Sequence, residues 1–282
     1  MPILLEFDTQ SVRPWYMPQL DTQGTLNFPR PFDTPPCLSH GIRVLDISNN
    51  AHIRVKSTLE RITESRADCH IMTWDNSILY WGIYHLLAIA PEEVEFLAGE
   101  HSRIPWSNPN DPASVRIDFE RPFVAPPKVI VFLDAFDIAL DHNWRLRTTA
   151  TDIDAKGFTL NIETWGDTVL HSARTCWIAY PEDCEHIFSM SIDTMGVCPE
   201  NQLQSENQLQ SENSGNITFD PVEFWKKPAV FIALHSFDIG CTANFRIKAY
   251  VDDVSRTGLV WHIDSWGDTI LHSAGASIIA FN

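Results

Sequence analysis

At 282 residues, 44% of them hydrophobic and 20% charged, the chain has ordinary globular composition with ample apolar mass for a core. Its 37 acidic against 20 basic residues give a formal net charge of -17, which repels phosphate backbones and anionic lipid and argues against nucleic-acid and membrane-headgroup partners. No stretch approaches the ~20 apolar residues that span a bilayer, so membrane insertion is not expected.

The opening Met-Pro-Ile-Leu-Leu-Glu-Phe-Asp has no basic region, and its apolar run is too short for a secretory leader, so cytosolic synthesis is expected. Release by a non-classical route is the extracellular option. The six cysteines, Cys37, Cys69, Cys176, Cys184, Cys198 and Cys241, form no Cys-x-x-Cys pair and no His/Cys metal spacing. They read as reduced thiols, and neither a metal nor a cofactor is expected. Cys184 and Cys198 flank a loop and are the one plausible pair.

Along the chain, one pattern returns three times. Leu45-Asp46-Ile47, Phe136-Asp137-Ile138 and Phe237-Asp238-Ile239 are each followed by an arginine, Arg54, Arg145 and Arg246. Then come Thr73-Trp74-Asp75-Asn76, Thr164-Trp165-Gly166-Asp167 and Ser265-Trp266-Gly267-Asp268. The tryptophans at 74, 165 and 266 stand 91 and 101 residues apart, and in each copy the other markers keep their distance from the tryptophan. A period held by several independent markers identifies tandem repeats. The boundaries fall near Pro91-Glu92 and Pro181-Glu182, giving units 1–91, 92–181 and 182–282. The longer last step reflects the segment 201–213, a six-residue unit written twice, which reads as a mobile loop.

Within a unit the segments are short and alternate. Trp144 and Leu146 share one face against Arg145 and Arg147; Phe245 and Ile247 oppose Arg246 and Lys248; Ile53 and Val55 oppose Arg54 and Lys56. Period two with one apolar face marks half-buried strands. Gly157 to Trp165 repeats the alternation with Phe158, Leu160 and Ile162 inward, and Lys128 to Leu133 is a more continuous apolar strand. Asp154-Ala155-Lys156-Gly157 and Trp165-Gly166-Asp167 read as hairpin connections. No helical period competes, so each copy of about 90 residues is expected to be an antiparallel sandwich.

The parity places each arginine and tryptophan off the core face. An indole at a turn beside a guanidinium offers a flat apolar platform next to a fork of donors, which suits sugars: C–H faces stack and hydroxyls bond directionally. The competing structural reading has the arginine capping a neighbouring domain and the tryptophan packing under a loop. Asp46, Asp137 and Asp238 read as turn caps rather than catalytic carboxylates, and no Gly-x-Ser-x-Gly elbow accompanies His171 or His272.

The spacing Asn143-Trp144-Arg145, Gly157-Phe158, Thr164-Trp165-x-x-Thr168 and Trp177-Ile178-Ala179 resembles the H-type lectin family (Helix pomatia agglutinin-like). The resemblance covers the second and third copies well and the first loosely. It implies an all-β chain of three six-stranded antiparallel sandwiches arranged as an intramolecular pseudo-trimer, without enzyme activity. It also implies calcium-independent binding of N-acetylgalactosamine- or galactose-bearing glycans near the domain interfaces. Several chains could stack into a larger homo-oligomer. The family's sugar-binding arginine corresponds to Arg145, Arg246 and Arg54, and its stacking tryptophan to Trp165, Trp266 and Trp74. The aromatic six places further on corresponds to Tyr80, His171 and His272. The family's histidine directly after the tryptophan is replaced by Asp75, Gly166 and Gly267, and its disulfide is missing, with Ile162 in place of one partner. The family's acidic contact from the upstream loop corresponds to a polar group expected from Asp21, Asn108 or Asp111, near Arg13-x-Trp15 or Arg103-x-x-Trp106; the third copy carries its insert there. The alternative function is a protein-interaction scaffold on the same sandwich.

Overall fold

The computed structural model describes residues 2–108, 111–202 and 209–282. Among these residues there is no α-helix and there are eighteen strands, six in each repeat. The first repeat holds β1 (Ile3–Asp8), β2 (Asp21–Asn27), β3 (Cys37–Ile47), β4 (Ile53–Glu60), β5 (Arg66–Met72) and β6 (Leu79–Ile89). The second holds β7 (Leu97–Arg103), β8 (Ser114–Asp118), β9 (Lys128–Ile138), β10 (Trp144–Asp154), β11 (Gly157–Glu163) and β12 (Leu170–Tyr180). The third holds β13 (Ile187–Asp193), β14 (Ser214–Thr218), β15 (Ala229–Ile239), β16 (Phe245–Asp252), β17 (Gly258–Asp264) and β18 (Leu271–Phe281). The alternation that marked them as strands is visible in β11, where Phe158, Leu160 and Ile162 are buried and Thr159, Asn161 and Glu163 partly exposed.

Sheets and repeats do not coincide. The three six-stranded sheets run β1-β6-β3-β16-β17-β14, β2-β5-β4-β9-β12-β7 and β13-β18-β15-β10-β11-β8. Each repeat contributes three strands to one sheet and three to another. The first repeat joins the second through β4–β9, the second joins the third through β10–β15, and the third returns to the first through β16–β3. The circuit closes, so the inner strand edges of every repeat are paired with a neighbour and offer no free ladder. We call these joints the first, second and third seams.

One apolar cluster runs through all three repeats. At its centre Phe136, Phe237, Phe245 and Trp144, none more than 1% exposed, pack with ring centroids 4.9 to 5.8 Å apart. Phe136 and Phe237 are the recurring residues before Asp137 and Asp238; they recur because they fill this shared core, at about 1.5–3 kcal/mol each. Gly41, Phe132 and Ala233 occupy the same position in the three repeats and converge: a Cβ on Gly41 would lie 2.6 Å from both of the others. One phenylalanine fits there because its two counterparts are small.

The Ala155-Lys156 connection is a hairpin between β10 and β11, as the sequence suggested. Trp165-Gly166-Asp167 is not. β11 and β12 lie in different sheets, and this turn carries the chain from one sheet to the other. All six cysteines are free, and Cys198 Sγ donates to Asn201 Oδ1 at 3.1 Å. The expectation of a mobile loop over 201–213 falls partly on residues 203–208, which lie outside the described residues; Asn201 at its head is buried and bonded to the carbonyls of Gln210 and Leu271.

Candidate functional site

Each seam places an arginine of one repeat directly opposite an aspartate of the next. Arg54 faces Asp137, Arg145 faces Asp238 and Arg246 faces Asp46. The Nε–carboxylate distances are 3.3, 3.4 and 3.4 Å. The aspartates are therefore not turn caps: each is the cross-strand partner of a charge supplied by another repeat. In Asp46 and Asp238 the arginine Nε faces Oδ1, whereas in Asp137 it faces Oδ2 and leaves Oδ1 buried without a hydrogen-bond partner among the described residues.

The turn after β5, β11 or β17 locks the far end of the same guanidinium. Arg145 Nη1 donates to Asp167 Oδ1 at 2.7 Å and approaches Thr168 Oγ1 at 3.5 Å, while Thr168 Oγ1 donates to the Asn143 carbonyl. Arg246 repeats this with Asp268 and Thr269, and Arg54 with Asn76 and Ser77. Aiming the carboxylate this way needs a left-handed residue after the tryptophan; φ is +64° at Gly166 and +67° at Gly267. A Cβ on either glycine would lie 2.8 Å from Nη1, so the guanidinium needs the space as well as the turn. Asp75 takes the same conformation, at φ 53°, and puts a carboxylate where the others have nothing.

The three seams differ from here on. At the first, Arg54 is nearly enclosed, its side chain 10% exposed, with Nη2 3.1 Å from His52 Nδ1 and 3.7 Å from the Asp75 carboxylate. The outward presentation expected for Arg54 is thus corrected: it is buried in β4 against Asp137 of the next repeat, and its donors are engaged. At the second seam Arg145 is 18% exposed, and Nη2 has no hydrogen-bond partner among the described residues. Trp165 beside it is 37% exposed. A groove of about 440 Å³ opens there, lined by Arg147, Glu163, Trp165, Asp193, Ser236 and Ser273. The Arg147 guanidinium sits 5.8 Å from the Trp165 ring centroid. At the third seam Arg246 keeps a comparable exposure, but Trp81 lies 5.9 Å from the Trp266 ring. Trp81 stands opposite Asp46, where the second seam has only Ser273 opposite Asp238.

The residues proposed from sequence as one site per repeat are distributed across seams. Trp165 and Gly166 line the second seam with His272, which acts electrostatically on Asp238. His171 instead joins the first seam, its Nδ1 3.4 Å from Asp137 Oδ1. Tyr80 belongs with the third, under Trp15 at 6.4 Å. Trp106 lies on His171 at 4.8 Å. Asp21 binds His70 and Gln23, and Asp111 accepts from the Ile104 N–H, so these two serve their own surroundings; Asn108 is exposed and has no described side-chain bond to any of the arginines. Burial pushes the Asp238 carboxyl above its ordinary value, against Arg145, His272 and the Trp165 side chain; burial raises Asp46 likewise, against Arg246. Asp167 and Asp268 are pulled down by the hydrogen bonds they accept from Arg145 and Arg246. Sequence reasoning missed the recurring aspartates as partners, although their fixed distance from each arginine was a signal, and it missed His52 and Trp81.

A domain model described as the H-type lectin domain matches residues 23–89, 114–180 and 214–281, well over half the chain. A relative from Fuscovulum blasticum, "ATP synthase subunits region ORF 7", is 36% identical over 76 residues, 26% of this chain and 65% of that protein. The match therefore spans just under two thirds of that relative's length. Two solved structures of discoidin II from Dictyostelium discoideum also match. The recombinant form is 16% identical over 50% of this chain and 73% of that one, and the wild-type form 14% over 63% and 93%, each with a TM-score of 0.27. At that level of superposition nothing about the site is transferred.

Proposed function

The chain belongs to the H-type lectin family, and on that premise we propose that it is a non-enzymatic carbohydrate-binding protein whose best-formed site lies on the second seam. The observation that carries this is Arg145, held at Nε by Asp238 and at Nη1 by Asp167 with no hydrogen bond at Nη2 among the described residues, on the same seam as Trp165, whose indole lines the adjoining groove with Arg147. A preorganised donor and an indole on one seam match a pyranose, whose hydroxyls and C–H patches lie side by side. The arginine charge is already answered by two carboxylates, which favours a neutral sugar over a phosphate or other anion. Terminal N-acetylgalactosamine or galactose, bound without calcium, is the proposed ligand class, with His272 acting on Asp238 at the same seam. One site is worth about -4 to -6 kcal/mol.

Arg246 also retains a free Nη2 among the described residues, so the third seam is the second candidate, narrowed by Trp81. Arg54, with its donors engaged, supports a structural role for the first seam. The closed circuit of seams supports reading the single chain as a pseudo-trimer; stacking of chains would add valence. The six free thiols support synthesis in the cytosol.

Calorimetric titration with N-acetylgalactosamine tests the reading. Wild-type protein should bind, and Arg145→Ala and Trp165→Ala should weaken binding at the second seam at least about tenfold with the circular-dichroism spectrum unchanged. Undiminished affinity in a folded Arg145→Ala would remove the assignment.

A further inference from the structure

We propose that the first seam holds a divalent transition-metal ion of the zinc class between His52, Asp137 and His171. His52 immediately precedes β4, Asp137 is the penultimate residue of β9, and His171 is the second of β12. Their ligand atoms all lie within 4.8 Å of one another. His171 Nδ1 is 3.4 Å and His52 Nδ1 3.9 Å from the same oxygen, Asp137 Oδ1, and the two imidazole centroids are 4.9 Å apart. Tetrahedral ligands on zinc stand about 3.4 Å from each other, given bond lengths of about 2.1 Å, so one edge is already set and the other needs a small closure.

Asp137 Oδ1 is buried and has no hydrogen-bond partner among the described residues, while Arg54 Nε holds the other oxygen at 3.3 Å. The carboxylate is therefore oriented with one oxygen uncommitted. His171 is steadied from outside, with the Trp106 ring tilted against it at 4.8 Å and the Trp106 backbone N–H donating to the His171 carbonyl. The obstacle is Arg54, whose Nη2 lies 3.1 Å from His52 Nδ1 and whose charge opposes a cation. Asp75, 3.7 Å from Nη2, can take that contact over. Asp75 and Asp137 both contact Arg54, and Asp137 and Asp141 act on His52 against the larger effect of the Arg54 charge, so the site carries carboxylates that a cation can use once Arg54 turns to Asp75. Two imidazoles and one carboxylate select zinc, nickel, copper or iron over calcium and magnesium. All three residues are partly exposed, so an ion can enter and keep a water position.

The other seams show that the fold does not require this set. The positions equivalent to His52 are Asn143 and Asn244, and the position equivalent to His171 in the third seam is Tyr80. The first seam alone brings two imidazoles to its recurring aspartate. No sequence motif could reveal the site, because its ligands come from two repeats.

The test uses the full chain, stripped with a chelator and titrated with Co²⁺ by visible absorption and with Zn²⁺ by calorimetry. One ion should bind per chain without a thiolate charge-transfer band. His52→Asn, the residue the other repeats carry, should lower affinity at least about a hundredfold with the far-ultraviolet spectrum and sugar binding at the second seam unchanged. If His52→Asn fails to fold, His171→Gln gives the same comparison. Absence of Co²⁺ absorption in the wild type, a thiolate band, or equal affinity in wild type and a folded variant would overturn the site, leaving the carbohydrate reading standing.

Discussion

Arg145 and Asp238 belong to different repeats yet face each other directly across β10 and β15, with Nε 3.4 Å from Oδ1. The same relation holds for Arg54 with Asp137 and for Arg246 with Asp46. One residue pair thus fastens the repeats together and fixes the guanidinium whose remaining donor can meet a ligand. How many donors remain separates the seams.

Arg54→Ala should cost stability without costing sugar binding. It removes the partner of a half-buried carboxylate, Asp137, and the seams proposed to bind sugar lie elsewhere. A loss of about 3 kcal/mol is expected in urea unfolding, with titration of N-acetylgalactosamine unchanged.

Gly166→Asp should convert the second seam toward the first. Aspartate is tolerated there because Asp75 adopts φ 53° at the equivalent place. Its carboxylate would engage Arg145, as Asp75 approaches Arg54 at 3.7 Å, and its Cβ would press on Nη1. Folding should cost about 1 kcal/mol, while sugar affinity at this seam drops at least about tenfold, read by calorimetry.

Arg174→Met should be severely destabilising. Asp134 is fully buried and accepts from Arg174 Nε at 2.7 Å, while His40 Nε2 lies 3.3 Å away without hydrogen-bond geometry. The variant strands that carboxylate, at a cost of about 3–5 kcal/mol in chemical denaturation.

Stability should fall on acidification through His235. Burial, with the Arg147 charge adding to it, pushes this imidazole down from 6.5 to about 4. The unfolded chain takes the proton first, so its contribution is full above pH 6.5 and is lost as pH falls toward about 4, by about 1.4 kcal/mol per pH unit. Burial shifts Asp46 and Asp238 upward, which acts in the opposite sense: they favour the fold when protonated and lose that contribution as pH rises through their folded values. The difference between wild type and His235→Leu in thermal melts across this window isolates the histidine, and the variant's curve should be flatter.

The strands were legible because period-two alternation records which face is buried, and Phe158, Leu160 and Ile162 obey it. The recurrence of Arg145 and Trp165 marked a site, but alternation does not say which strand lies next door. Asp238 therefore read as a turn cap, and His171 was grouped with the tryptophan of its own repeat although it lies beside Arg54's partner. Arg54 shares the pattern of Arg145; Asp75 in place of Gly was visible beside it, but Asp137, which meets it from the next repeat, was not.

Sugar binding through Arg145 at the second seam is decided by a glycan array probed with wild type and with folded Arg145→Ala/Arg246→Ala. Wild type should give signal on structures ending in N-acetylgalactosamine or galactose, and the double variant none. Silence of the folded wild type across the array, or equal signal from the double variant, would contradict it.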